Sequence, residues 1–544
     1  MLVRAPYDSL VAGFRWPIPA RFNIAAAACD AWALAAPDRP AIYDLDADGR
    51  LETVGYGALA ARSGRLANVL GGLGIGRGDR VAILLPQGAW AAVAHLAIYR
   101  RAAVALPLAT AFGSDAIAYR LGDAGARAVI TTAGGAERLA EIRGQLPDGC
   151  RILSIDGPAP GADALAPLLA AASDRHPAAD TGPDDPALLI YTSGTTGPPK
   201  GALHGHRVLL GHIPGLEMHH EFLPQAGDRL WTPADWAWAG GLLNVVLPGL
   251  YLGVPVVAHA TTKFDPERAW RLMEDAGVRN AFLPPTALKL MRSAPLPARR
   301  PALRTVGAAG EALGAETLEW ARGALGLAVN EFYGQTECNA VISASAAIGV
   351  SRPGAIGKPV PGHTVAIIDA AGREVPRGTL GEIAVKRPDP VMFLGYFGRP
   401  DATAAKFVGD WMITGDQGVM DEEGYIRFAG RNDDLITSSG YRIGPGEIED
   451  CLVGHPAVRL AVVVGKPHPV RTEIVVAFVA LAPGHAPSEA LADAIRAHVR
   501  TRLSAHEYPR EIVFVDEVPL TTTGKVIRRH FRDAVRRETP ASGE

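Results

Sequence analysis

In the first third of the chain, stretches with apolar residues at helical spacing alternate with short apolar runs. LAARSGRLANVLGGLGIG (residues 59–76) leads into DRVAILLP (79–86), and AVAHLAIYRRAA (92–103) leads into VALPLA (104–109). A 3.6-residue period followed by a run too short for a helix predicts helix then strand, and the repetition predicts an open α/β sheet. Gly74, Gly76 and Gly78 lack the spacing of a dinucleotide-binding turn; they are read as the stop of the first helix, ahead of a strand at Val81–Leu84. From Ala355 the texture becomes alternation with period two. HTVAIID (363–369) and GEIAVK (381–386) flank a turn at Ala371 and Gly372, and WMITGD (411–416) and YIRFAG (425–430) flank Asp421–Gly424. Both predict antiparallel hairpins. The polar run Asn432–Asp434 then precedes a last region of about 110 residues that mixes the two periods, which suits a small α+β domain. The boundary is placed there, giving domains 1–432 and 433–544. The most apolar stretch, Ala237–Val257, is broken by Asn244, Pro248 and Pro255, and predicts a buried helix followed by a strand in place of a membrane span.

At 544 residues the chain exceeds what one core supports, so at least two domains are expected. A net charge of -3 without blocks of like charge excludes the basic field that attracts nucleic acid and leaves small molecules as the expected substrates. Cys29, Cys150, Cys338 and Cys451 have neither disulfide-framework nor zinc spacing. The opening residues MLVRAPYDSLVAGFRW show no apolar run with a cleavage site; a cytoplasmic location and no stable membrane insertion are expected.

The sharpest local signal is Tyr191-Thr192-Ser193-Gly194-Thr195-Thr196-Gly197-Pro198-Pro199-Lys200-Gly201, directly after the apolar run Ala187–Ile190. Glycines let backbone N–H groups approach an anion, hydroxyls add donors and Lys200 adds charge, so a triphosphate cradle is predicted. The spacing is not that of the kinase and GTPase P-loop, and a mobile linker rarely combines these residues after a buried strand.

YTSGTTGPPKG resembles the signature loop of the adenylate-forming superfamily of acyl-CoA synthetases, luciferases and peptide-synthetase adenylation domains. The resemblance continues in order through AGEAL (309–313), EFYGQTE (331–337), ITGD (413–416), GRNDD (430–434), SSGYR (438–442) and PLTTTGK (519–525), and so covers most of the chain. It implies an α/β fold with a large N-terminal domain of α/β sheets carrying a small β-barrel-like subdomain, and a small mobile α+β C-terminal domain. It implies ATP, Mg2+ and coenzyme A as cofactors and co-substrates. Tyr333 would stack on adenine with Phe428 covering it; Asp416 would hold the ribose hydroxyls beside Arg431. Thr336 would touch the α-phosphate, and Glu337 with Thr196 would hold magnesium. The matched segments add Gly310, Glu311, Ala312, Glu331, Phe332, Gly334 and Gln335 to the nucleotide site. Lys525 resembles the family's catalytic lysine, an ammonium bridging two anions as a carboxylate attacks the α-phosphate. Asp433 matches the hinge about which the small domain rotates.

SSGYRIGPGEIE and EYPREIVFVDEVPLTTTGK are similar to medium-chain acyl-CoA synthetases. That resemblance implies coenzyme A contacts at Ser439, Gly440, Tyr441, Arg442, Arg471, Tyr508, Pro509 and Arg510. Acetate-specific relatives carry a Trp where Gly334 stands, so a longer acid is expected, in a tunnel walled by Trp236, Trp238, Gly240 and Gly241 with Val306–Gly310, Ala308 included, opposite. WTPADWAWAGGLLN and GKPHPVRTE depart from the medium-chain pattern, so an aryl or short or branched acid stays open as the alternative. Two other readings are a carrier-loading or luciferase-type enzyme, disfavoured because no carrier domain follows Lys525, and an inactive nucleotide-binding regulator, disfavoured because Lys200, Glu337, Asp416, Arg431 and Lys525 are all present. The setting of Lys525 also makes it a candidate target of a protein acetyltransferase. A homo-oligomer is compatible with the sequence.

Overall fold

The structure is a computed structural model that describes residues 2–46, 49–192, 198–261, 264–311, 313–431, 434–438, 441–468, 471–503, 508–520 and 526–538. Its first sheet has eight strands in the order Gly395–Tyr396, Lys200–Gly205, Pro186–Thr192, Val104–Pro107, Arg80–Leu84, Ala128–Thr131, Arg151–Ser154 and Asp163–Ala164. From Pro186–Thr192 outward to Asp163–Ala164 the neighbours are parallel. Every residue of Val104–Pro107 and Ala128–Thr131 is buried, which is why these strands read as continuous apolar runs: helices cover both faces. The predicted helix-then-strand order is present in Tyr56–Gly72 with Arg80–Leu84 and Ala89–Arg100 with Val104–Pro107.

A second sheet of nine strands packs beside it and carries Thr305–Ala308, Val329–Gln335 and Cys338–Ser343. Ala237–Val257 forms the helical segments Ala239–Gly241, Leu242–Val246 and Leu247–Leu252, then turns at Gly253 into the strand Val256–His259. This is the buried helix and strand expected; no described helix is long and apolar enough to cross a membrane.

The third sheet is antiparallel throughout, with Val365–Ile368, Leu380–Lys386, Trp411–Met420, Phe407–Val408 and Ile426–Arg431. Both predicted hairpins are in it. The fourth sheet starts at Ile436 and comprises Tyr441–Ile443, Ile436–Ser438, Thr472–Leu481, Val458–His468 and Glu511–Val515, with helices Pro445–Val453, Glu489–Arg502 and Arg528–Glu538. It docks on the remainder through Pro445–Val453. Asp450 Oδ2 accepts the Ala315 N–H at 2.7 Å, at the start of helix Ala315–Leu325, and Arg292 donates to the Val453 carbonyl. The residue before that helix, Gly314, has no capping side chain; at φ +79° it places its missing Cβ 1.9 Å from Asp450 Oδ1, so only glycine admits the carboxylate.

Candidate active site

Strand Pro186–Thr192 pairs with Lys200–Gly205 so that Thr192 lies opposite Lys200 and Tyr191 opposite Gly201. The two ends of the expected cradle are thus fixed by a hairpin ladder, while Ser193, Gly194, Thr195, Thr196 and Gly197 lie outside the described residues. The base is tied down further: Tyr119 donates to the Pro199 carbonyl at 3.0 Å and Tyr191 to Asp123 at 2.6 Å.

Lys200 Nζ sits 5.3 Å above the ring of Tyr396, whose hydroxyl donates to Glu337 Oε1 at 2.5 Å. Tyr396 was not predicted. It comes into place because Gly395–Tyr396 pairs antiparallel with Lys200–Gly205, a contact between segments nearly 200 residues apart that no local pattern announces. The cradle's cation and the expected metal carboxylate therefore share one aromatic neighbour. Glu337 is buried and its main-chain carbonyl accepts the Phe393 N–H at 2.8 Å, which fixes the carboxylate's origin. Next to this segment lies the buried His204, whose pKa is lowered to about 3 by burial first and then by His212 and Arg207.

At the other end of the same segment, the Tyr333 hydroxyl donates to Asp416 Oδ2 at 2.5 Å and Gln335 Nε2 donates to the same oxygen at 2.9 Å. Gln335 Nε2 also reaches the Thr414 carbonyl at 2.6 Å, and Lys406 Nζ donates to Gln335 Oε1 at 3.3 Å and the Ile413 carbonyl at 3.0 Å. An ammonium only donates, so Lys406 sets which way the Gln335 amide points. Sequence reasoning missed Lys406 as well; its only trace is a lysine shortly before ITGD. Asp416 is buried, with Arg431 Nε 3.9 Å from Oδ1, and the register Asp416↔Arg431 across the hairpin makes this pairing. Phe428 and Tyr333 both pack, partly buried, against one apolar cluster.

Strand alternation separates neighbours within 331–337. The Phe332 side chain points into the core, 2% exposed and stacked on His219 at 4.0 Å, so only its main chain faces the expected nucleotide side. Half-buried Glu331 accepts the Leu313 N–H at 3.3 Å, and Thr286 donates to Glu311 at 3.0 Å; these hold the loop at Gly310 and Glu311, while Ala312 lies outside the described residues. Burial first, and then the nearby Asp450 carboxylate, push Glu331 up to about 7. The folded chain keeps that proton to about pH 7 and the unfolded chain only to about pH 4.5, so the associated stability is intact below the lower value and lost as pH rises through the upper. Glu331→Gln is expected to abolish a loss on the order of 2–3 kcal/mol between pH 5 and pH 8. Urea midpoints of the two proteins at both pH values measure it; an unchanged decline in the variant rules it out.

Around the expected acyl pocket, Trp238 meets Phe112 edge-on at 5.6 Å, Trp236 is buried at 4% exposure, and Ala308 is fully buried. A Cβ at Gly240 would stand 3.1 Å from Phe282, and one at Gly241 2.7 Å from the Asp235 carbonyl. At Gly334 a Cβ would lie 2.3 Å from Ala340 N and 2.5 Å from Asn339 Cα. The chain's own backbone, and not open space, faces this glycine, so it does not by itself lengthen a tunnel.

Of the coenzyme A candidates, Tyr508 and Arg510 touch each other, with the guanidinium 4.3 Å above the ring, and the Arg510 N–H is held by the Val475 carbonyl at 2.8 Å. Pro509 lies between them. Arg471 precedes Thr472, which pairs with Ser438, so it is brought next to the SSGYR segment. Ser439, Gly440 and the side chains of Tyr441 and Arg442 lie outside the described residues, as do Asp433 and Lys525.

Residues 29–397 match the AMP-binding enzyme family and residues 447–525 the AMP-binding enzyme C-terminal domain. The mitochondrial acyl-coenzyme A synthetase ACSM2 of Rattus norvegicus is 35% identical over 532 residues, 95% of this chain and 92% of the relative. The acetyl-coenzyme A synthetase of Bacillus subtilis (strain 168) is 34% identical over 506 residues, 90% and 86% respectively. Among solved structures, the anthranilate CoA ligase AuaEII in complex with anthranoyl-AMP superposes with a TM-score of 0.88 at 27% identity, covering 96% of this chain and 98% of that one. The family match spans most of the chain and a relative 35% identical is covered almost end to end, so the chain belongs to the AMP-binding enzymes as an AMP-forming acyl-CoA ligase.

Proposed function

We propose that this ligase activates a medium-chain fatty acid as its acyl-adenylate and transfers the acyl group to coenzyme A. The observation that carries the nucleotide part is the segment 333–337, which engages Asp416 at one end and, through Tyr396, Lys200 at the other. Adenine stacks on Tyr333 under Phe428, Asp416 and Arg431 take the ribose, and Lys200 with the residue 193–197 loop takes the phosphates. Glu337 suits magnesium: it is an oxygen donor held in place by Tyr396, and among the described residues no cluster of three or more His, Cys, Asp or Glu offers an all-protein cage. Magnesium is commonly bound by one carboxylate plus substrate phosphates. When bound with Thr196 and Glu337 it would neutralise phosphate charge.

The acid's carboxylate oxygen forms a bond to the α-phosphorus as the bond to the β-phosphate oxygen breaks, and pyrophosphate leaves. Lys525 holds the two approaching anions together. The small domain, residues 433–544, then turns about Asp433. The coenzyme A thiolate, beside SSGYR with Arg471 and the Tyr508-Pro509-Arg510 cluster on its phosphates, attacks the acyl carbon and AMP departs.

A flat aryl acid is the second reading, favoured by Trp238 against Phe112 and by the likeness to an anthranilate CoA ligase. Release of AMP over a panel of straight-chain, branched and aromatic acids, with and without free coenzyme A, tests both. Highest kcat/KM with medium straight-chain acids, dependent on coenzyme A, is expected. A preference for benzoate or anthranilate replaces the first reading by the second, and no pyrophosphate exchange with any acid revives the inactive nucleotide-binding protein.

A further inference from the structure

Helix Arg528–Glu538 begins three residues after Lys525, within about 10–11 Å of extended chain. The base of the lysine segment is closed by a bridge between Leu520 and Val526 and by the Ile527 N–H on the Pro519 carbonyl at 2.9 Å. Arg528 is the first residue of the helix, and its guanidinium is enclosed by acids. Nη2 donates to Glu449 Oε1 and Oε2 at 2.6 and 2.8 Å, and Nη1 to Asp434 Oδ2 at 3.2 Å. Arg532, one turn on, donates to Asp434 Oδ1 at 2.9 Å. Two cations and two carboxylates thus balance, and Asp434 is only 8% exposed.

Each carboxylate reaches a different part of the machinery. Asp434 directly follows the expected hinge residue, and its N–H, with that of Leu435, binds the carbonyl of Arg431, the ribose contact. Glu449 belongs to the docking helix Pro445–Val453 and also accepts the Val463 N–H at 2.8 Å, which ties that helix to the fourth sheet. The planar fork of an arginine can satisfy both acids at fixed angles; a lysine cannot.

We propose that Arg528 is a positioning residue for adenylation: through Asp434 and Glu449 it locks the hinge, the docking helix and the base of the lysine segment into one rigid piece. Lys525 then arrives at the α-phosphate in a set place each time the domain closes. The inference rests on the assignment of Lys525 as the catalytic ammonium. The cluster does not touch Tyr333, Gln335 or Asp416, and it meets Arg431 only at that residue's main-chain carbonyl.

The test measures two half-reactions on the full chain: pyrophosphate exchange, and thioester formation from presynthesised acyl-AMP. In Arg528→Met, exchange kcat is expected to fall about 10- to 100-fold, the scale of an ångström's misplacement, with KM for ATP within about threefold and the thioester step nearly kept. Arg528→Lys should lie between. The ratio of the two rates cancels any change in folded fraction, and Arg528→Lys retains the charge should the methionine variant not fold. In a Lys525→Ala background, Arg528→Met should cost nothing further. Equal loss in both half-reactions, or the same additional loss without Lys525, overturns the proposal and leaves Arg528 a structural residue. If Lys525→Ala alone leaves exchange at full rate, the catalytic assignment fails, and the positioning role with it; full activity of Arg528→Met beside an impaired Lys525→Ala overturns the positioning role alone.

Discussion

Lys525→Ala should lower pyrophosphate exchange by about 10²- to 10³-fold while leaving thioester formation from presynthesised adenylate within a few-fold of the parent protein. That factor is the typical cost of removing one preorganised donor aimed at charge that develops in the transition state. The acid and the α-phosphate are both anionic, so their approach is uphill until a cation spans them; the thiol attack on a mixed anhydride has no such pair of anions. Acetylation of the same amine removes its charge and should reproduce the selective loss. Equal loss in both steps would assign Lys525 to folding or general binding, and no loss would remove it from the reaction.

The second large effect is expected at Asp416. Its Oδ2 already receives Tyr333 and Gln335, and the proposed ribose hydroxyls would add to these. Hydrogen bonds to a charged acceptor contribute roughly 1.5–3 kcal/mol each, so Asp416→Ala should reduce kcat/KM for ATP by about 10²- to 10³-fold, chiefly through KM. Asp416→Asn keeps the shape and one acceptor and should lose less. The thioester step, started from bound adenylate, suffers too, because the same ribose is held; this distinguishes Asp416 from Lys525. An alanine variant with an unchanged KM for ATP would take the ribose away from this carboxylate.

Much of this site is legible in the sequence, and the reason is local. The strand before the glycine-rich loop and the loop itself are contiguous in sequence, and the structure adds the returning strand that sets Lys200 opposite Thr192. The WMITGD and YIRFAG hairpin likewise put Asp416 opposite Arg431. What escaped was non-local. Tyr396 meets Glu337 from 59 residues away, and Lys406 reaches back 71 residues to Gln335, through strand pairings that no periodicity encodes. Phe332 illustrates a second limit: a contiguous motif does not say which side chains face the site, because alternate side chains of a strand face opposite ways. Gly334 shows a third. The absence of a side chain does not imply open volume here, because main chain from the next strand fills it.

Helix Ala315–Leu325 borrows its terminal acceptor from Asp450, 135 residues further on. Removing that acceptor would leave the terminus uncapped at a cost of roughly 0.5–2 kcal/mol, so this contact adds a modest amount to the docking of helix Pro445–Val453. Asp450 also adds to the burial that raises Glu331, and its departure lets that carboxylate ionise more readily. The Asp450 contact and the Glu331 proton are therefore linked: ionising Glu331 disfavours the nearby Asp450 carboxylate, and removing Asp450 would lower the Glu331 pKa.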